Sequence, residues 1–179
     1  MRKMFFLLLL AGCTAGERTT MPAESWQRTV EQQLPLLGHR NWVLIVDKAF
    51  PDQTNAGILT VNTGAAMPEV LEFVQRQLVA SPHVKPIVYR DAELAYMTDS
   101  LSPGITAAEK EIATVLGPQK VNVILHDTVF GKMSAAAGTF SVLVLKTESL
   151  HPYTSVFFEL DCAYWSNEKE TALRRKMNP

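Results

Sequence analysis

Apolar positions along the chain fall into two alternating rhythms. Trp26, Val30, Leu34 and Leu37 recur at three- to four-residue spacing, the period of one helix face, and Gly38 stands where a left-handed cap would end it. Trp42 to Val46 breaks that rhythm with a continuous apolar run rich in β-formers, the pattern of a strand covered on both faces. Ile58 to Val61 reads as a weaker strand. Val70, Leu71, Val74 and Leu78 form a second helical stripe, with Pro68 near its start. Pro86 to Tyr89 is a short strand. Thr106-Ala107-Ala108-Glu109 has the form of a capping box ahead of Ile112, Val115 and Leu116, and Gly117-Pro118 stops that helix.

The same alternation runs to the end of the chain. Val121 to Leu125 predicts a strand and Asp127 to Ala137 a helix with Phe130 and Met133 inward. Phe140 to Leu145 and Val156 to Leu160 predict two more strands, and Glu168 to Lys176 a charged helix. Strands alternating with helices, most of the strands apolar throughout, imply a single α/β domain with helices on both faces of its sheet.

Composition adds an export signal and removes one class of partner. The 179 residues are 47% hydrophobic, which suits a globular domain with a sizeable core. Seventeen basic against eighteen acidic residues leave no excess charge to hold a polyanion, so nucleic acid is not an expected partner. Arg2 and Lys3 precede an apolar run, Met4 to Ala11, too short to span a bilayer and suited to a secretory signal. The run ends in Leu10-Ala11-Gly12-Cys13, which resembles a bacterial lipobox; an ordinary signal peptide with an incidental cysteine is the plainer alternative. The expected organisation is a signal peptide over 1–12, a polar tether over 13–23 and a folded domain over 24–179. A lipid on Cys13 would anchor the protein to a membrane, an outer membrane given Thr14 at the next position. Cys162 is then left as a lone thiol, read as a small buried residue on a strand.

Ligands of such sheets gather beyond the carboxyl ends of the strands. The polar residues standing where apolar runs stop are Asp47, Arg90 and Asp91, His126, and Lys146 with Glu148. Each has a plainer reading: Asp47 as a strand-end turn residue, His39 as a polar group after a helix end, Tyr153 as a half-buried anchor, His83 and His151 as loop residues. Spacing alone does not say whether His39 and Asp47 converge. There is no His-x-x-x-His or Cys-x-x-Cys to suggest a metal site, no glycine-rich phosphate cradle and no nucleophile elbow.

Leu36 to Pro51, LLGHRNWVLIVDKAFP, resembles the opening motif of the D-ribose pyranase and L-fucose mutarotase family, RbsD and FucU: Leu-Gly-His, an apolar strand, an aspartate and a nearby proline. Lys146-Thr147-Glu148 followed by Pro152-Tyr153-Thr154-Ser155-Val156 is similar to the family's Thr/Ser-Gly-Glu and Tyr-x-Asn motifs. The resemblance implies an RbsD-like domain that interconverts sugar ring forms or anomers without cofactor or metal, in rings of subunits with sites at their contacts. It implies His39 and Asp47 as a catalytic pair with Tyr153, and His126, Glu148 and Ser155 as sugar contacts. Ser155 departs from the family, replacing an amide by a single hydroxyl. The alternative function is a non-catalytic lipoprotein that binds a sugar or other polyol on the same scaffold.

Overall fold

The computed structural model describes residues 25–177. The signal-peptide, lipobox and tether readings, Cys13 included, lie outside those residues. Six strands form one sheet in the order β2-β5-β1-β6-β3-β4: β1 (Trp42–Val46), β2 (Ile58–Asn62), β3 (Val84–Asp91), β4 (Val121–Ile124), β5 (Val142–Lys146) and β6 (Val156–Cys162). β1 is parallel to β5, β5 to β2 and β3 to β4, while β6 runs antiparallel to both β1 and β3. The five strands other than β6 therefore share one direction, and their carboxyl ends meet the amino end of β6 along one edge.

Helices cover both faces, as the sequence pattern predicts. Because successive strand residues point to opposite faces, β1 contributes to two separate cores. Val43 and Ile45 join Val30, Leu71, Val74 and Ile112 beneath α1 (Trp26–Gln33), α2 (Met67–Ala80) and α3 (Ile105–Leu116). Trp42, Leu44 and Val46 join Val129, Met133 and Ala137 beneath α4 (His126–Ala137). All five residues of β1 are buried, which is why the run shows no polar alternation. α5 (Asn167–Met177) buries nothing and is held locally, Trp165 Nε1 donating to Glu170 at 2.9 Å and Glu170 pairing with Arg174.

Several local expectations are corrected. α1 ends at Gln33 and passes into a 3₁₀ turn over Leu34–Leu36, because Pro35 has no N–H to continue the α ladder. The left-handed residue is then not Gly38 but Arg40, at φ 72°, whose N–H is secured by the Leu160 carbonyl at 2.8 Å. α3 begins before the expected capping box: Gly104, at φ 89°, is its N-cap, and Asp99 Oδ1 accepts the N–H groups of Gly104 at 3.1 Å and Thr106 at 3.2 Å. β3 extends two residues past Tyr89 and takes Arg90 and Asp91 into the sheet. His83 is half-buried against the Leu37 carbonyl at 3.0 Å, and Cys162 closes β6 only partly buried.

Candidate functional site

The carboxyl edge gathers most of the polar residues that the strand-end rule selects. Asp47 follows β1 directly and turns the chain by accepting the Ala49 N–H on Oδ1 at 2.9 Å. Its Oδ2 faces the Ser155 hydroxyl at 3.5 Å, which leaves that oxygen with unused acceptor capacity. Ser155 precedes β6 and is buried, as is Thr154, whose hydroxyl donates to the His151 carbonyl at 2.8 Å. This anchored turn holds Tyr153 at φ +60°, a left-handed conformation that costs a non-glycine residue roughly 1–2 kcal/mol. Such strain persists only where the surroundings impose it.

The strained turn presents Tyr153 to His126. The two rings meet edge to face with centroids 5.4 Å apart, and Phe130 packs against His126 at 4.7 Å. Phe130 also stacks on Phe50 at 5.2 Å, which ties the β1 loop to α4. His126 is the first residue of α4, and the Glu93 carboxylate caps it, both oxygens within 3.2 Å of its N–H. Its Nδ1 lies 3.1 Å from Asp91 Oδ2, the carboxylate side chain having no solvent exposure. Burial pushes the Asp91 carboxyl up to about 6, with Glu93 adding to the shift and His126 and Arg90 opposing it. His126 Nδ1 and Asp91 Oδ2 are in ion-pair range without hydrogen-bond geometry, so the imidazole is held by its ring contacts with Phe130 and Tyr153 beside the Asp91 carboxylate.

Glu148 sits on the same edge but is already engaged. Lys48 Nζ is 2.5 Å from its Oε1 and 3.0 Å from Asn62 Oδ1, making a half-exposed bridge between the ends of β1, β2 and β5. Such a pair adds little stability and keeps its polar atoms wet enough to rearrange around a ligand.

His39 is elsewhere. It lies beyond the amino end of β1, with Nδ1 3.0 Å from Asp161 Oδ1 and Nε2 accepting from Arg40 at 3.2 Å. Asp161 also binds Lys85 at 3.2 Å. Burial works against its charge, but the Cys162 N–H, Lys85 and His39 together hold its carboxyl below the usual range. The five residues of β1, at about 3.3 Å each, set His39 on the order of 16 Å or more from Asp47. Within one chain the structure brings together Asp47, Ser155, Tyr153 and His126, sets Glu148 beside them, and keeps His39 apart. Asp91, Glu93 and Phe130 are the additional members of the cluster. Asp91 was visible as a strand-end residue; Glu93 and Phe130 gave no signal, one lying in an unpatterned turn and the other in a core stripe.

Among the described residues no group of three or more His, Cys, Asp and Glu side chains is arranged to hold a metal ion, and no helix is long and apolar enough to cross a membrane. No family model and no curated protein sequence matches the chain. Several solved structures share its fold, among them two with bound sugars. RbsD of Bacillus subtilis complexed with D-ribose aligns with a TM-score of 0.52 at 15% identity, over 73% of this chain and 89% of that one. The fucose mutarotase from Streptococcus pneumoniae in complex with L-fucose aligns with the same TM-score of 0.52 at 12% identity, over 73% of this chain and 89% of that one. The domain therefore has the RbsD-like α/β fold, at a sequence distance where likeness speaks for the fold alone.

Proposed function

We propose that the protein is a cofactor-free monosaccharide mutarotase or pyranase-like isomerase whose site is the carboxyl edge of the sheet. The observation that carries the reading is the meeting of Asp47, Ser155, Tyr153 and His126 at that edge, on a fold shared with proteins solved with D-ribose and L-fucose. Mutarotation removes a proton from the anomeric hydroxyl while one is delivered to the ring oxygen, and the open form then closes on either face. His126, held beside the Asp91 carboxylate, serves as the proton carrier through Nε2. Asp47 Oδ2, which only the Ser155 hydroxyl approaches at 3.5 Å, takes a sugar hydroxyl, and the Tyr153 hydroxyl donates to the ring oxygen. Positioned general acid-base catalysis of this kind is worth about 10² to 10⁴-fold, enough for a reaction that water already performs.

In this reading Glu148 exchanges its bond to Lys48 for a sugar hydroxyl, and His39 can take part only from a neighbouring subunit of a homo-oligomeric ring. The protein would be exported and lipid-anchored through Cys13 on the periplasmic face of an outer membrane. Labelling with radioactive palmitate that is lost in Cys13→Ser tests the anchor; labelling that persists rules it out.

One feature favours the alternative of a non-catalytic sugar-binding protein. Ser155 is buried and reaches Asp47 only at 3.5 Å, so the hydroxyl presents less to a ligand than a longer amide side chain would. Exchange NMR on the purified full chain with ribose, fucose, galactose and glucose separates the two. Faster anomer or ring-form exchange that is lost in His126→Ala and Asp47→Asn is expected. Saturation transfer to a sugar without faster exchange would leave a binding protein, and neither effect with any sugar would remove the proposal.

A further inference from the structure

Arg40 and Tyr153 are the two non-glycine residues that the described chain holds at positive φ. Tyr153 belongs to the sugar site, whereas Arg40, at φ 72°, stands beside His39 at the opposite edge of the sheet. Strain of this kind collects at functional sites. The Arg40 guanidinium lies over the Phe140 ring, 5.8 Å from its centroid, and Nε donates to His39, which leaves both terminal nitrogens without a partner among the described residues. Arg40 and Phe140 wall an open cleft of about 320 Å³ with Glu159 of β6 and with Lys132, Ala135 and Ala136, from the half of α4 away from His126. Its floor is Trp42, the register partner of Glu159, so both face the α4 side of the sheet.

The three charges of this cleft do not neutralise one another. Arg40 and Lys132 are exposed and Glu159 is half-buried, and among the described residues no ion pair joins them. Lys132 Nζ lies over the Tyr89 ring at 5.6 Å. Glu159 Oε2 accepts the Tyr89 hydroxyl at 2.8 Å, and Oε1 has no partner among the described residues. Burial first, and then the bond to Glu159, push the Tyr89 pKa up to about 12, so the hydroxyl keeps its proton and fixes the carboxylate. We propose that this cleft binds a free α-amino acid with an aliphatic side chain, its carboxylate between Arg40 and Lys132, its ammonium on Glu159 Oε1 and its side chain against Phe140, Ala135 and Ala136. A zwitterion gives each of the three charges an opposite partner. A plain carboxylate would set its charge beside Glu159 unanswered, and a plain amine would meet two cations. Because the groups are largely in water, each contributes modestly, and the binding is weak but selective. The cleft lies at the end of α4 away from His126 and Tyr153, so its occupancy is independent of whether the sugar site is catalytic.

The test is an NMR titration of L-leucine into the full chain, isotope-labelled at alanine methyl groups and tryptophan indoles, at ionic strength held constant with sodium chloride. Saturable shifts at Ala135, Ala136 and the Trp42 indole are expected. Two analogues dissect the charges: 4-methylpentanoate lacks the ammonium of leucine and 3-methylbutan-1-amine lacks its carboxylate. Each should bind more weakly by about fivefold or more, the upper worth of an exposed ion pair. Arg40→Gly suits the left-handed backbone and Lys132→Gln changes only an exposed helix position, so both variants fold. Each should weaken leucine by a similar factor, whereas Glu159→Gln should bind leucine and 4-methylpentanoate alike. No saturable shift, an analogue that binds as well as leucine, leucine affinity unchanged in Arg40→Gly and Lys132→Gln, or a Glu159→Gln chain that still prefers leucine would each overturn the proposal.

Discussion

At the scale of single residues, the Asp91 carboxyl has the clearest consequence. Its pKa is raised from 3.8 to about 6 by burial, so between those values the folded chain holds a proton that the unfolded chain has released. Stability therefore falls as pH rises through that window, by an amount on the order of 2–3 kcal/mol, and above it the full cost of the buried charge is present. Asp91→Asn removes the titration. Thermal unfolding of both proteins from pH 4 to pH 7 should show the variant gaining on the parent steadily as pH rises; a constant difference would refute the assignment. The functional counterpart rests on the proposed role of His126: the Asp91 carboxylate lies 3.1 Å from its Nδ1, so the same variant should lower the rate of sugar exchange more than it weakens sugar binding. Asp47 and His126 were legible because each stands where an apolar run stops. The separation of His39 from Asp47 follows from the strand read over Trp42 to Val46 between them, and only the resemblance to RbsD and FucU paired the two. Once β1 fills that interval with buried apolar residues, the two are fixed at opposite ends of the sheet.

At the scale of elements, apolar periodicity located nearly every helix and strand, and β1 and its two-sided burial emerged residue for residue. What it did not locate was set by polar and close backbone contacts that apolar periodicity does not register. The start of α3 depends on Asp99, whose carboxyl the Thr106 N–H and hydroxyl and the Gly104 and Ile105 N–H groups hold below the usual range. Thr106 and Glu109 offered a closer capping box, and the left-handed Gly104 overrode it by turning the chain two residues earlier. Asp99→Ala should lower the unfolding midpoint and speed hydrogen exchange in the first turn of α3; protection unchanged there would make Thr106 the effective cap. Gly57 is a second such contact. A Cβ there would stand 2.4 Å from the Ala137 carbonyl oxygen and 2.8 Å from that of Phe140, both backbone atoms. Gly57→Ala must therefore push the end of α4 away from β2, at a cost of about 1–3 kcal/mol by denaturant unfolding. A variant as stable as the parent would mean that this junction yields freely.

At the scale of the whole molecule, the direction of β6 decides what the sheet can do. Alternating strands and helices lead one to expect parallel crossovers, but β5 and β6 are joined by a helix-free loop, and the chain returns antiparallel between β1 and β3. That reversal carries Tyr153 and Ser155 to the same edge as Asp47 and His126, and it carries Asp161 to the opposite edge beside His39. One chain thus has two polar ends, and a site that uses both His39 and Asp47 must draw them from two chains. This yields a test that does not depend on knowing the sugar's identity beyond its exchange rate. His39→Ala and Asp47→Asn chains, each inactive alone if both residues take part, should regain activity when unfolded together and refolded as mixed oligomers, because some contacts then pair an intact His39 with an intact Asp47. Activity retained in His39→Ala alone would assign the chemistry to the Asp47 and His126 end of a single chain. Loss in both variants with no recovery on mixing would show that His39 acts only by fastening Asp161 and the amino edge of the sheet.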